Sequence, residues 1–331
     1  MDPSHFSLCV MPWGVKPATP ADLIEVARHA EQLGFYALTL AYRPVLPTPD
    51  EPPAAGYVFQ RVPDEYRHYQ YDPLVLAPVL LQATSRIRIG FNVLITPWLH
   101  PFVWAKYLSS LDALGEGRVV AGLGIGYTPS DQPLPSLTRL GLPGDHRGQR
   151  SDEALEIMTR LWTSREPVTY LGQYYQVHDM ALAPRPARAP YVELWWAGQT
   201  QVSCERAARY ARFLELARPS LRALRERYGP WLAAANARHG GRAEIAAMLN
   251  GLVRDHDYTT EEASIAFFDW PPSMLARLPV GSPERCASAL RDYWAAGVRH
   301  YVLDLHRHGL DKVTAVHAQM ERFAGEVLPR T

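Results

Sequence analysis

Short apolar or β-branched runs alternate with longer helix-patterned segments along nearly the whole chain, and this alternation restricts the fold more than any other feature. Phe6 to Met11 reads as a first strand. Pro20 to Leu33 follows as a helix: Pro20 suits its first turn, Leu23, Ile24, Ala27 and Ala30 recur at helical spacing, and Gly34 closes it. Phe35 to Leu40 is a second strand. After the helical stretch Pro73 to Thr84, the run IRIGFNVLI (Ile87 to Ile95) is a third. Helix Pro101 to Leu114 leads into a fourth strand, Arg118 to Leu123. Asp152 to Trp162 is a helix with Leu155, Ile157, Met158 and Leu161 as its apolar side. Tyr191 to Trp196 is a fifth strand with Gln201 to Ala211 as its helix, and Phe213 to Leu216 is a sixth strand. A seventh lies within Ile245 to Val253. Helix Ser282 to Ala296 then precedes an eighth strand, Tyr301 to Leu305. Strand-helix units repeated about eight times describe an α/β fold of the (β/α)8 TIM-barrel type better than an open doubly wound sheet. No linker-like stretch divides the chain, so a single domain, 1–331, is expected.

Two long connections interrupt the pattern, Tyr42 to Asp72 after the second strand and Tyr127 to Arg150 after the fourth. Both leave the C-terminal ends of strands, where barrel enzymes build their sites, and loops of this length are generally functional or disordered. The first contains Tyr57, Phe59, Tyr66, Tyr69 and Tyr71, which favours a lid over a solvated tail.

Composition excludes several classes. Lys and Arg number 34 against 34 Asp and Glu, which removes the electrostatic case for a nucleic-acid or anionic-membrane binder. Three cysteines, Cys9, Cys204 and Cys286, are odd in number and far apart, so neither a disulfide framework nor a structural zinc site is suggested. The first residues lack a basic segment followed by a long apolar one, and no window reaches a membrane-span length. A soluble cytoplasmic protein is the expectation.

The segment Gly122-Leu123-Gly124-Ile125-Gly126 fails the Rossmann spacing, and TPSDQPLP after it cannot start the required helix. Two readings stay open: a strand end stripped of side chains for a planar ligand, or close packing of a barrel interior. Ala197-Gly198-Gln199-Thr200 opens a helix after the fifth strand. It suits either a phosphate cradle at the positive end of a helix dipole or an ordinary turn capped by Thr200. Arg147 and Arg150 are candidates for a phosphate or for surface ion pairs with Asp152 and Glu153. His306 with His308, and His178 with Asp179, are weaker candidates for metal binding and acid-base work, and no metal is expected. Neither GxSxG nor a phosphate loop ending in GK[ST] occurs.

Four blocks in order resemble the bacterial luciferase-like family of flavin- or deazaflavin-dependent oxidoreductases: ATSRIRIGFNVLITPWLHPFVWAKYLSSLDALGEGRVVAGLGIGY, LGLPGDHRGQRSDEALEIMTRLW, LGQYYQVHDMALAPRPARAPYVELWWAGQT and VGSPERCASALRDYWAAGVRHYVLDL. The resemblance covers most of the chain and implies a (β/α)8 barrel. By position it also implies a ring system over the strand ends, supported by a backbone bulge near Asn92 and Val93 and flanked by Tyr127 and Thr128. Its phosphate would be held by the loop Ala197, Gly198, Gln199 and Thr200, with help from Arg147. Many relatives carry a histidine at the end of the second strand; here LTLAYRP places Tyr42 or Arg43 there as the catalytic candidates. An unperturbed tyrosine, with a pKa near ~10, is a hydrogen-bond donor rather than a base at neutral pH.

The resemblance therefore implies an oxidoreductase. The first expectation is a monooxygenase using reduced FMN, supplied by a separate flavin reductase, acting on a small apolar or aromatic substrate. A hydride-transfer enzyme using the deazaflavin coenzyme F-420, a flavin-binding paralogue without turnover and an unrelated metal-dependent hydrolase are the alternatives. A homodimer is expected, with the helix holding Trp104 and Tyr107 as a candidate surface or, alternatively, packed on the barrel.

Overall fold

The computed structural model describes residues 1–10, 19–42, 71–126, 134–257, 277–305 and 313–331. Eight strands form its centre: β1 (Phe6–Val10), β2 (Ala37–Leu40), β3 (Arg88–Phe91), β4 (Val119–Gly124), β5 (Glu193–Ala197), β6 (Phe213–Ala217), β7 (Glu244–Asn250) and β8 (Val298–Asp304). Every neighbouring pair is parallel, running β3-β2-β1-β8-β7-β6-β5-β4, and β3 pairs back onto β4 through Ile89 with Val119 and Gly90 with Val120. The sheet is thus a closed barrel, as expected.

The helices surround it: α1 (Pro20–Gln32), α2 (Pro73–Ala83), α3 (Pro101–Leu114), α4 (Arg147–Thr163), α5 (Gln201–Tyr210), α6 (Gly229–His239), α7 (Pro283–Ala295) and α8 (Val313–Arg322). Local chemistry explains their starts. Thr19 and Asp22 form a reciprocal capping box at α1, Asp72 caps α2, and Ser282 caps α7. Among the described residues, no helix is long and apolar enough to cross a membrane.

Alternation along the strands sorts the core into two parts. Cys9, Ala41, Val120, Trp195, Phe213, Ala246, Met248 and Val302 fill the barrel, while Leu8, Leu38, Leu40, Ile89, Leu123, Leu194 and Leu214 face the helices. The barrel's N-terminal floor is polar, and its carboxylate is fully partnered. Glu193 accepts from the Tyr36 hydroxyl at 2.7 Å and the Trp195 indole at 2.9 Å, and pairs with Arg188 and Arg212. Beside it Ser7 Oγ meets His300 Nε2 at 2.8 Å, and burial holds His300 well below its ordinary pKa.

Three local expectations change. The third strand is not continuous from Ile87 to Ile95: β3 stops at Phe91, the Asn92–Val93 peptide is cis, and a two-residue strand, Leu94–Ile95, resumes alongside Leu123 and Gly124. Helix α4 begins at Arg147 rather than Asp152, and Val168–Leu171 and Gln176–Met180 form an antiparallel hairpin absent from the sequence reading. The predicted lid aromatics Tyr57, Phe59, Tyr66 and Tyr69 lie outside the described residues, while Tyr71 is exposed.

At β4 the glycines serve close packing. A Cβ on Gly122 would stand 2.0 Å from the Phe91 carbonyl oxygen, and one on Gly124 would stand 3.0 Å from Val93 Cγ2. Gly122→Ala is therefore expected to destabilise the protein by about 3 kcal/mol or to prevent soluble expression, read by urea denaturation. An unchanged midpoint would show that β3 does not press on β4 in this way.

Candidate active site

Because all eight strands are parallel, their C-terminal ends share one face of the barrel. On that face β3 contributes Asn92. Its backbone N–H donates to the Leu40 carbonyl at 2.8 Å, and its side-chain Nδ2 donates to Glu215 Oε1 at 2.8 Å. Glu215 sits on β6 between Phe213, which fills the barrel, and Ala217. Strand alternation therefore turns its carboxyl inward, at the level of its register partners Ala197 and Ala246. The residue is 4% exposed, and Oε2 has no hydrogen-bond partner among the described residues. Burial pushes the carboxyl up to about 7, with the Asn92 hydrogen bond pulling the other way.

Next to this pair lies the glycine-rich end of β4. The Phe91 carbonyl and the Val93 side chain occupy the space that side chains at 122 and 124 would need, so the packing reading holds for these two glycines. Arg147, the first residue of α4, is nearly buried. Its Nη1 donates to the carbonyls of Ile125 and Gly126 at 3.0 and 2.8 Å, fixing the backbone where β4 ends. Behind it, Thr96 donates to the Gly124 carbonyl at 3.2 Å and also meets Ser151 Oγ.

At the end of β5 the chain turns through Ala197 and Gly198 into α5. Thr200 caps the helix by accepting from the Ser203 N–H at 3.1 Å, and a Cβ on Gly198 would stand 2.2 Å from Ser203 Oγ. Gln199, Thr200, Gln201 and Val202 are exposed, so the turn is open rather than plugged. The amides of Gln201 and Val202 have no acceptor within the helix, leaving donors at the positive end of its dipole. Beneath, Trp196 Nε1 is buried without a hydrogen-bond partner among the described residues. The Arg206 guanidinium lies 5.3 Å from the Trp196 ring and grips Asp152 of α4 through two bonds of 2.6 and 3.0 Å.

Across the mouth, Asn250 at the end of β7 donates to Asp304 of β8 at 2.9 Å and accepts from Arg218 at 3.4 Å. Arg218, just past β6, holds a left-handed φ of 47°.

Other sequence candidates fall elsewhere. Tyr42 does not face the barrel interior: it follows Leu40 on the outer side, its ring meets Trp104 of α3 at 6.2 Å, and burial beside Asp72 raises its phenol well above the ordinary value. The inward position at that strand end belongs to Ala41. Arg43, Tyr127, Thr128, His306 and His308 lie outside the described residues. His178 and Asp179 are exposed on the hairpin, away from the strand ends. Asp152 pairs with Arg206 rather than with Arg147 or Arg150. Arg150 instead meets Asp145 and the Tyr174 ring, and Glu153 accepts from the amides of Gln173, Tyr174 and Tyr175. Trp104 is fully buried and donates to the Thr96 carbonyl, so it packs on the barrel instead of forming a surface.

Glu215 was not singled out from the sequence. Its signal is a lone acid inside FLELA, at the parity that strand alternation turns inward.

Comparison with known proteins accords with this architecture. The chain is 38% identical over 118 residues to a 4-hydroxyprotoasukamycin monooxygenase of Streptomyces nodosus subsp. asukaensis, a match covering 35% of this chain and 30% of that protein. It is 28% identical over 169 residues to an F420-dependent glucose-6-phosphate dehydrogenase of Intrasporangium calvum, covering 51% of this chain and 46% of that protein. The matched regions thus span less than half of either relative, and another relative is named for dependence on reduced FMN. Among solved structures, the monooxygenase RslO1 from Streptomyces bottropensis superposes with a TM-score of 0.76 at 20% identity, covering 98% of this chain and 99% of that one. The sequence pattern described as luciferase-like monooxygenase matches residues 4–272, well over half of the chain, and on that match the protein belongs to the luciferase-like monooxygenase family.

Proposed function

We propose that the protein is an oxidoreductase that works with reduced FMN, as a monooxygenase, on a small apolar or aromatic molecule. The observation that carries this reading is the pairing, on one end of the barrel, of an open helix N-terminus at Gln199–Val202 with the compact strand ends at Asn92–Val93 and Gly122–Gly126. The first suits a phosphate and the second a flat ring. The buried Trp196 indole and Glu215 oxygen, without partners among the described residues, agree with a bound group at this end, since buried polar atoms normally find partners.

On this reading the turn Gly198, Gln199 and Thr200 seats the phosphate against the Thr200 hydroxyl and the Gln201 and Val202 amides, while the Gly198 N–H stays on the Glu215 backbone carbonyl at 3.2 Å and Ala197 keeps the approach clear. Asn92 and Val93 lie under the ring. Tyr127 and Thr128 flank it by the family resemblance. Arg147 contributes indirectly, by fixing the Ile125 and Gly126 carbonyls. When bound, reduced flavin supplies the electrons for oxygen chemistry; the chain seats it and shields it from water. A separate reductase supplies the reduced form. We place the protein in the cytoplasm as a homodimer; exposed Val75 and Val79 on α2 and Tyr107 and Leu114 on α3 supply apolar surface for pairing.

A second reading, hydride transfer with coenzyme F-420, is favoured by the similarity to an F420-dependent dehydrogenase. The same anion seat serves both cofactors, so affinity distinguishes them. Titrating the apoprotein with FMN and with F-420 is expected to show micromolar binding of one, with FMN the tighter. Failure of both to bind would overturn the two readings together.

Two substitutions test the placement. Thr200→Ala removes the cap and one phosphate donor. FMN affinity should fall about tenfold and riboflavin affinity should stay unchanged, at a stability cost of about 1 kcal/mol. Equal losses for the two ligands would place the phosphate elsewhere. Tyr42→Phe should leave FMN affinity within about twofold of the parent, because the ring is turned toward Trp104; a large loss would return Tyr42 to the site.

A further inference from the structure

The carboxyl of Glu215 is enclosed in the barrel, one oxygen bonded to Asn92 at the break after β3 and the other without a partner among the described residues. An isolated buried carboxylate is costly, so such a group either keeps a proton or meets a cation. Among the described residues no cation pairs with it, and Arg88 of β3 stacks on the Tyr36 ring at the floor, 4.2 Å from its centre. Facing the interior, β5 presents Trp195 and Ala197, β7 presents Ala246 and Met248, β4 presents Val120 and Gly122, β2 presents Thr39 and Ala41, and β1 presents Cys9. Glu193 is committed at the floor to Tyr36, Arg188 and Arg212, and His300 lies beside Ser7 in the same layer. Asp304 and Arg218 belong to the Asn250 cluster at the ends of β6 to β8.

We propose that Glu215 is the proton-holding group of this barrel mouth, taking up a proton as a ring seats above it and delivering that proton from Oε2 to the molecule that reacts there. The inference rests on the flavin-type reading above and adds a residue to it. In the delivery step the O–H bond at Oε2 breaks and its electron pair stays on the carboxylate. The Asn92 N–H then stabilises that carboxylate through a charge-assisted bond. The proton passes to an oxygen or nitrogen of the bound molecule as that atom gains electron density, and solvent returns a proton before the next cycle. Covering the carboxyl removes its remaining solvent, which strengthens its hold on the proton, so seating and protonation are linked.

The experiment compares the full-length parent with Glu215→Gln, a shape-matched mimic of the protonated acid, and with Asn92→Ala. Thermal melts come first. A raised folded-state pKa contributes stability that is complete at low pH and is lost as pH rises through about 7. Glu215→Gln should therefore melt like the parent near pH ~4, below the ordinary glutamate pKa, and roughly 2–5 °C higher near pH ~8. A gap independent of pH would overturn the proposal.

Calorimetric titration with FMN comes second, at neutral pH in two buffers of unequal ionisation heat, which counts protons exchanged on binding. The parent should take up a fraction of a proton, and its affinity should weaken by roughly three- to tenfold over about two pH units above neutrality. Glu215→Gln should take up none and show a flat profile. Asn92→Ala removes the bond that favours the charged form and should move the fall in affinity to higher pH. Equal proton counts in parent and Glu215→Gln would overturn the proposal. Absence of binding by the parent to both FMN and F-420 would instead overturn the cofactor reading, and the proton delivery with it. The melts would still report the resting protonation separately.

Discussion

The close approach of β3 to β4 is the constraint on which the rest of this structure depends. The Phe91 carbonyl lies where a Cβ of residue 122 would stand, 2.0 Å away, so only glycine lets the two strands meet. That contact closes the barrel beside the Ile89–Val119 and Gly90–Val120 pairs. Past it the chain turns at Asn92–Val93, which brings the Asn92 amide to Glu215 across the mouth and lays Val93 against Gly124. Arg147 and Thr96 then fix the emerging β4 backbone through its carbonyls. Closure of the barrel and the shape of its mouth therefore have one origin.

Charge is handled differently at the two ends. At the floor, Glu193 is surrounded by Tyr36, Trp195, Arg188 and Arg212, each of which bonds or pairs with its carboxylate. At the mouth, among the described residues, Glu215 has one neutral hydrogen bond and an unpartnered oxygen. Satisfied polar networks stabilise, whereas an unsatisfied buried carboxyl costs stability and is characteristic of sites that bind or react. This difference agrees with the rule that chemistry in such barrels sits at the C-terminal ends of the strands.

Much of the fold was legible because buried parallel strands are written as short continuous apolar runs. VVAGLG, ELWWA and VRHYVLD lie where such runs predict strands, and caps at Thr19 and Ser282 mark their helices in the residues themselves. The interruption in IRIGFNVLI left no trace in the apolar pattern, since Val93 and Leu94 continue the run through the cis Asn92–Val93 bond, and only the family resemblance placed a bulge there. Helix α4 starts five residues early because His146, in the left-handed region, precedes it without a side-chain cap, so the usual start signal is missing. At the candidate site, the turn Ala197–Thr200 was readable as a helix-opening turn from its place between β5 and α5. Tyr42 was not, because its role turns on strand parity: Ala41 faces in and Tyr42 faces out. Glu215 went unnoticed for the converse reason. Its importance comes from Asn92, 123 positions away in the chain, and from the absence of a cation paired with it among the described residues.

On the proposed function a phosphate-bearing ring rests on the strand ends with its anionic tail at the first turn of α5. A crystal soaked with FMN or F-420 tests it most directly. The phosphate is expected within hydrogen-bond reach of the Gln201 and Val202 amides and the Thr200 hydroxyl, with the ring over Asn92 and Val93. A ring bound with its phosphate away from that turn, or lying outside the barrel mouth, would contradict it.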